Sequence, residues 1–439
     1  EPHMAVQTEP RKSESQRQIY RLGPRPLPQH LSLAAATWTN SAAALPALNN
    51  ALQNWRTANP NAPHGTPLPP NLAQLQQSLA SLAPQIAQAD PAALMVALQT
   101  EGRRRFGQLL TGIEAYRKHP HQRDLDPGPV LWDQGTTKLR DQRTTRDGGK
   151  TARPRVLVVP SLVNRYYVLD LEQESSFLRW LDANGFDPFV VDWDAPGYVE
   201  RSFDLTDYIV GRLEGALDAV KREPGGPIHL IGYCMGGNLA LALALRRQAD
   251  LAGLVLLATP WDFHAENIGH AQMMGQIGRQ LEPVLQILGE LPVDMLQAFF
   301  SGLDPFQVLK KFQYFGTVEQ TSAGARRFVA LEDWLNDGIS LAAPVARECL
   351  TGWYGDNTPH KLGWKIADKI VDPAAFDRPA LNVIPGTDRI VPPGSARALT
   401  QRFRQADEMV PNAGHIGMMV GRSAARDVWE PVAAWMRQR

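Results

Sequence analysis

Cys234 is the residue in this sequence best placed to do chemistry. It sits in Gly232-Tyr233-Cys234-Met235-Gly236-Gly237, after the apolar run Pro227-Ile228-His229-Leu230-Ile231 and before Asn238-Leu239-Ala240-Leu241-Ala242-Leu243-Ala244-Leu245. The pattern predicts a strand, a sharp turn and a helix, with small residues on both sides leaving the cysteine exposed at the tip. Helix amides directly under a cysteine favour negative charge, so they would support a thiolate and a developing oxyanion. The chemistry this suits is nucleophilic attack on an acyl carbonyl. No Gly-x-Ser-x-Gly occurs elsewhere in the chain, so no serine competes for the role.

Such a nucleophile needs a base and an orienting acid. Asn382-Val383-Ile384-Pro385-Gly386-Thr387-Asp388 places Asp388 just past a late apolar run, and Asn412-Ala413-Gly414-His415-Ile416-Gly417 places His415 in a glycine-flanked loop near the chain end. The order Cys234, Asp388, His415 is the nucleophile–acid–histidine order of α/β-hydrolases. Taken singly, each is ordinary: an aspartate after a strand caps a turn, a Gly-His is structural, and a cysteine is a small buried hydrophobe. An oxyanion hole needs two donors. The backbone N–H of Met235 is one candidate. The other comes from Pro160-Ser161-Leu162-Val163-Asn164, with Val163 preferred and Leu162 the alternative. Cys349 has no elbow and reads as a packed, inert thiol.

The elements that would position these residues alternate. Val156–Val159, Pro188–Trp193, Gly253–Ala258 and Ala380–Ile384 are buried-strand runs, and Ser175–Asn184 and Leu205–Arg222 have helical spacing. Alternation predicts a mainly parallel sheet flanked by helices, an α/β-hydrolase fold. Residues 1–29 read as a flexible tail opening with a cloning remnant, Glu1-Pro2-His3. Residues 30–120 read as a helical region, with helices over Leu31–Trp55 (divided at Pro46), Leu72–Gln88 and Ala92–Tyr116. Asp90-Pro91 is a start signal for the last of these. Residues 121–439 form the catalytic domain, with an inserted helical cap at about 260–378. Within the cap, Leu281–Phe300 suits both core packing and a lid over an apolar acyl tunnel.

Formal net charge is zero, which argues against nucleic acid as a partner. With two cysteines in the chain, a disulfide framework is not expected and a reducing, cytoplasmic setting is. Neither a bilayer-length apolar run nor a signal-peptide pattern is present. No motif suggests a metal, nucleotide or flavin; His119-Pro120-His121 reads as a loop, and Arg103-Arg104-Arg105 as a solvated helix face.

Several motifs resemble the polyhydroxyalkanoate synthases. These are the Gly232–Gly237 box, Asn164-Arg165-Tyr166-Tyr167-Val168-Leu169-Asp170-Leu171, Arg179-Trp180-Leu181, Asp207-Tyr208, Thr259-Pro260-Trp261-Asp262-Phe263 and Gly414-His415-Ile416. The family's W-N-x-D-x-T-N cap stretch is not visible, and Gln313-Tyr314-Phe315-Gly316-Thr317 takes its approximate place. Thr387-Asp388-Arg389-Ile390 stands for the family's E-D-H-I. The resemblance implies a 3-hydroxyacyl-CoA thioester as substrate rather than cofactor, an acyl-Cys234 intermediate, and a growing polyester as acceptor. It also implies association with polymer granules. The N-terminal helices read as a small accessory bundle, with the alternative that they form a homodimer or attach to a surface. A thioesterase or polyester depolymerase using the same triad is the alternative. A non-catalytic granule protein is a third, disfavoured by the intact triad.

Overall fold

The computed structural model describes residues 21–39, 77, 81–82, 85, 88–144 and 152–439. Its main sheet has eight strands: β1 (Val130–Gln134), β2 (Thr137–Asp141), β3 (Arg155–Val159), β4 (Asp187–Asp192), β5 (Ile228–Tyr233), β6 (Gly253–Leu257), β7 (Ala380–Val383) and β8 (Asp407–Met409). They lie in the order β1-β2-β4-β3-β5-β6-β7-β8. β1, β2 and β4 pair antiparallel, and every pairing from β4–β3 through to β7–β8 is parallel. The antiparallel β1–β2 hairpin is additional to the strands expected from sequence; β1 has three apolar residues, mostly half-exposed, and β2, though largely buried, has one, Leu139, so neither writes a long apolar run.

Successive side chains of a strand face opposite ways, so each central strand feeds two layers. Leu157, Val159, Leu230, Leu254 and Leu256 pack with residues of the helices Glu214–Arg222 and Met235–Arg246. Val156, Val158, Ile231, Val255 and Leu257 pack on the other side with residues of Phe177–Ala183 and Glu430–Arg437. Burial on both faces explains the unbroken apolar runs. Truncating one of these leucines to alanine should cost about 2–5 kcal/mol.

The described chain divides into two compact units, 120–303 with 326–439, and 21–119 with 304–325. In the second, Asp90 caps the helix Pro91–Lys118 by accepting from Ala92 N at 3.1 Å. The helix Gln307–Phe315 packs on it, with the rings of Tyr116 and Phe312 5.7 Å apart, edge to face. The expected cap at 260–378 is therefore interrupted. Residues 304–325, including Gln313–Thr317, complete the N-terminal unit, because Leu309, Phe312 and Phe315 form a buried apolar stripe that needs a partner helix. The expected helix over Leu31–Trp55 is described only as far as Leu27–Thr39. That over Leu72–Gln88 lies largely outside the described residues. Arg104 and Arg105 pair with Glu101 on an exposed face. Between β6 and β7 the larger unit carries helices Ile268–Gln280, Glu282–Leu288, Val293–Ser301 and Ala343–Arg347, and a π-helical turn Glu348–Gly355. Leu285, Leu291 and Leu296 of the expected lid are buried in the core, whereas Ile287 is exposed. No helix among the described residues is long and apolar enough to cross a membrane.

Candidate active site

β5 ends at Tyr233 and the next helix begins at Met235, leaving Cys234 in the turn with φ +55° and ψ −128°. A non-glycine residue held there costs about 1–3 kcal/mol and persists only where its surroundings over-determine it. Here Cys234 N donates to Leu257 O at 2.8 Å, and Gly237 N donates to Cys234 O at 2.9 Å. The glycines permit the tight approach. A Cβ on Gly232 would overlap Gly237 Cα, and one on Gly237 would overlap Thr259 Oγ1. The Cys234 side chain stays half-buried.

Asp388 follows β7. Its Oδ1 accepts from Ile390 N at 2.8 Å and Val391 N at 2.9 Å, which leaves Oδ2 to accept from His415 Nδ1 at 2.7 Å. Backbone bonds splice the two loops: Gly386 N donates to Pro411 O at 2.9 Å, and Thr387 N to Ala413 O at 3.1 Å. On its other side His415 lies near enough to Cys234 for that thiol to act on the imidazole. Burial by itself would lower the imidazole, but the charge and hydrogen bond of Cys234 and those of Asp388 outweigh it. The pKa of His415 rises from 6.5 to about 10. Cys234, His415 and Asp388, named from sequence, thus form one chain of contacts at the C-terminal edge of the sheet.

Met235 N–H, the first helical amide, has no intrahelical acceptor. Val163 N–H points to Ser161 Oγ at 3.3 Å, a long bond that an oxyanion would have to displace; Leu162 is buried in the same turn. His264 Nε2 lies 2.8 Å from Tyr354 O. Cys349 is buried in Glu348–Gly355, where burial pushes its thiol well up.

Sequence reasoning did not single out Tyr233 or Tyr354. Tyr233 OH donates to His415 O at 3.0 Å, and the two rings lie 5.3 Å apart. Its signal was its place, one residue before the cysteine. Tyr354 packs edge to face on Phe263 at 4.9 Å; burial first, then the charge of Cys234, raises its hydroxyl. Nothing local in the sequence marks it.

A cysteine at a strained strand–helix elbow, with histidine and aspartate delivered by the two loops beyond the last parallel strands, defines a class of protein. The chain belongs to the alpha/beta hydrolase fold family, whose sequence model matches residues 154–422. Residues 125–181 match that of the poly-beta-hydroxybutyrate polymerase (PhaC) N-terminus, and the chain resembles the polyhydroxyalkanoate synthases. It is 28% identical over 288 residues to the poly(3-hydroxyalkanoate) polymerase subunit PhaC of Haloarcula marismortui, covering 65% of this chain and 61% of that one. Against the same-named protein of Allochromatium vinosum it is 27% identical over 299 residues, covering 67% and 83%. The chain spans about three fifths of the length of the Haloarcula relative, 61%. Among solved structures, a lipase-esterase related protein from Clostridium acetobutylicum aligns with 68% of this chain and 99% of its own at 14% identity, with a TM-score of 0.38.

Proposed function

We propose that this chain is a polyester synthase that transfers 3-hydroxyacyl groups from CoA thioesters to a hydroxyl acceptor through acyl-Cys234. The single observation that carries the reading is a cysteine, not a serine, at the strained elbow, acting on a histidine that is itself bonded to Asp388. The likeness at residues 125–181 supports the choice of polymer chemistry.

The sulfur of Cys234 attacks the thioester carbonyl, and the oxyanion is met by Met235 N–H and an amide of the Ser161–Val163 turn. Collapse breaks the carbon–sulfur bond to CoA, and protonated His415 returns a proton to the departing thiolate. One thioester replaces another, so the acyl-enzyme forms at little cost. Acylation removes the charge of Cys234 and its bond to the imidazole. Burial then favours neutral His415, which is the form that can take a proton from an incoming 3-hydroxyl. Attack by that hydroxyl forms the ester and expels the Cys234 thiolate. Asp388 holds the ring throughout. The growing polyester, attachment to a polymer granule, a dimer and a cytoplasmic location belong to the same proposal.

The test is incubation with 3-hydroxybutyryl-CoA, following free CoA thiol and the size of the acyl product. Oligomeric or polymeric ester supports the reading. Free 3-hydroxybutyrate in step with CoA would make the protein a thioesterase, and no CoA release at all would leave a non-catalytic granule protein.

A further inference from the structure

The stretch Trp334–Ile339 docks on the loop that follows β3. Trp334 Nε1 donates to Arg165 O at 2.8 Å. Arg165 Nε donates to Asp337 Oδ1 at 2.9 Å, and Tyr167 OH donates to Asp337 Oδ2 at 2.9 Å. Asn164 forms an antiparallel bridge with Gly338, and Ile339 N donates to Val163 O at 3.3 Å. From the other side, Trp193 Nε1 donates to Pro160 O at 3.0 Å, and Arg165 reaches Asp194 at 3.1 Å. Asp194 itself is held at φ +54°, next to β4.

These contacts close around Pro160–Asn164, the segment carrying both candidate second donors. Each oxygen of Asp337 has its own partner, one on either side of Tyr166, so the carboxylate fixes the register of the whole turn. Burial works against the charge of Arg165, but Asp337 and Asp194 more than offset it. The guanidinium is therefore committed to this clip.

We infer that Asp337 is a positioning residue that sets the oxyanion loop through Arg165 and Tyr167. The inference rests on the reading that the Ser161–Val163 turn supplies an oxyanion donor. Loss of the clip lets Val163 shift, and a displacement of about 1 Å at a reacting centre can cost about 10²-fold in rate.

Two reactions of Cys234 separate the loop from the nucleophile. Alkylation by iodoacetamide forms no oxyanion; acylation by p-nitrophenyl acetate passes through one. In the full chain, Asp337→Ala should slow p-nitrophenolate release by about tenfold or more while alkylation stays within about twofold of the parent. Asp337→Asn and Tyr167→Phe, which remove less, should lower the same ratio by smaller factors. Acylation at the parent rate overturns the assignment, and so does a parallel fall of both reactions, which would place the effect on Cys234 and His415. Should Asp337→Ala fail to fold, the ratios in the other two variants decide by the same criteria. The readout uses no CoA thioester, so inertness toward 3-hydroxyacyl-CoA would count against the proposed substrate and not against this role.

Discussion

The hydroxyl of Tyr233 donates to the carbonyl of His415 at 3.0 Å, so the residue before the cysteine holds the backbone of the histidine. The strand end and the histidine loop cannot separate without breaking that bond. Tyr233→Phe should remove about 1 kcal/mol, roughly a fivefold loss in turnover with little change in KM. Steady-state kinetics on the purified variant would check this.

Cys234→Ala should abolish CoA release and covalent labelling by a thioester analogue. Cys349→Ala should do neither, since that thiol is buried and raised. Mass spectrometry of the labelled peptides distinguishes the two, and label retained on Cys349 in Cys234→Ala would sink the assignment.

His415→Ala should lower turnover by about 10⁴-fold, the scale for members of such triads. Asp388→Asn should be severe but smaller in effect, because Asn can still accept from Ile390 and Val391 N while presenting an amide, not a carboxylate, to His415 Nδ1. Near-normal rates in either variant would point to another base, with His264 and His270 the first places to look.

The charge on His415 should depend on the state of Cys234. With its pKa raised from 6.5 to about 10, the imidazole favours the folded state most at pH below 6.5, and that contribution is lost as pH rises through about 10. Alkylating Cys234 removes two of the raising causes, so His415 should then titrate well below its free-protein value. NMR of labelled histidine before and after alkylation reads this directly; identical titrations would refute the coupling.

Acid should act through His229. It is buried in β5 with both ring nitrogens unpaired, and burial lowers its pKa from 6.5 to about 4. The unfolded chain then binds a proton that the folded one refuses. The contribution is complete above pH 6.5 and disappears as pH falls through about 4, in total about 3 kcal/mol. His229→Leu should flatten stability against pH across that window in denaturant titrations.

The residues brought together at the sheet edge could be named from sequence because each carries its own local signature. Cys234 has its glycines, Asp388 its strand end and His415 its glycine-flanked loop. The parallel strands were legible for a related reason, since burial on both faces writes continuous apolar runs. What escaped depended on distant partners. β2 is held in the sheet by β4, and β1 by β2, not by apolar runs of their own. Helix Gln307–Phe315 looked like cap because its true partner, Pro91–Lys118, lies far back in the chain. Asp337 is an unremarkable aspartate until Arg165 and Tyr167 are folded against it.

The N-terminal unit needs residues 304–325 to be whole, and the bond from His119 Nε2 to Gln320 O joins positions 201 apart. On a ribosome adding about 5–20 residues per second, the first helices wait on the order of 10–40 s for that segment. During that wait the faces destined for Phe312 and Phe315 stay open to water. The helix Pro91–Lys118 is therefore synthesised well before the segment that completes its apolar face, and a nascent chain stalled before residue 304 leaves that face uncovered.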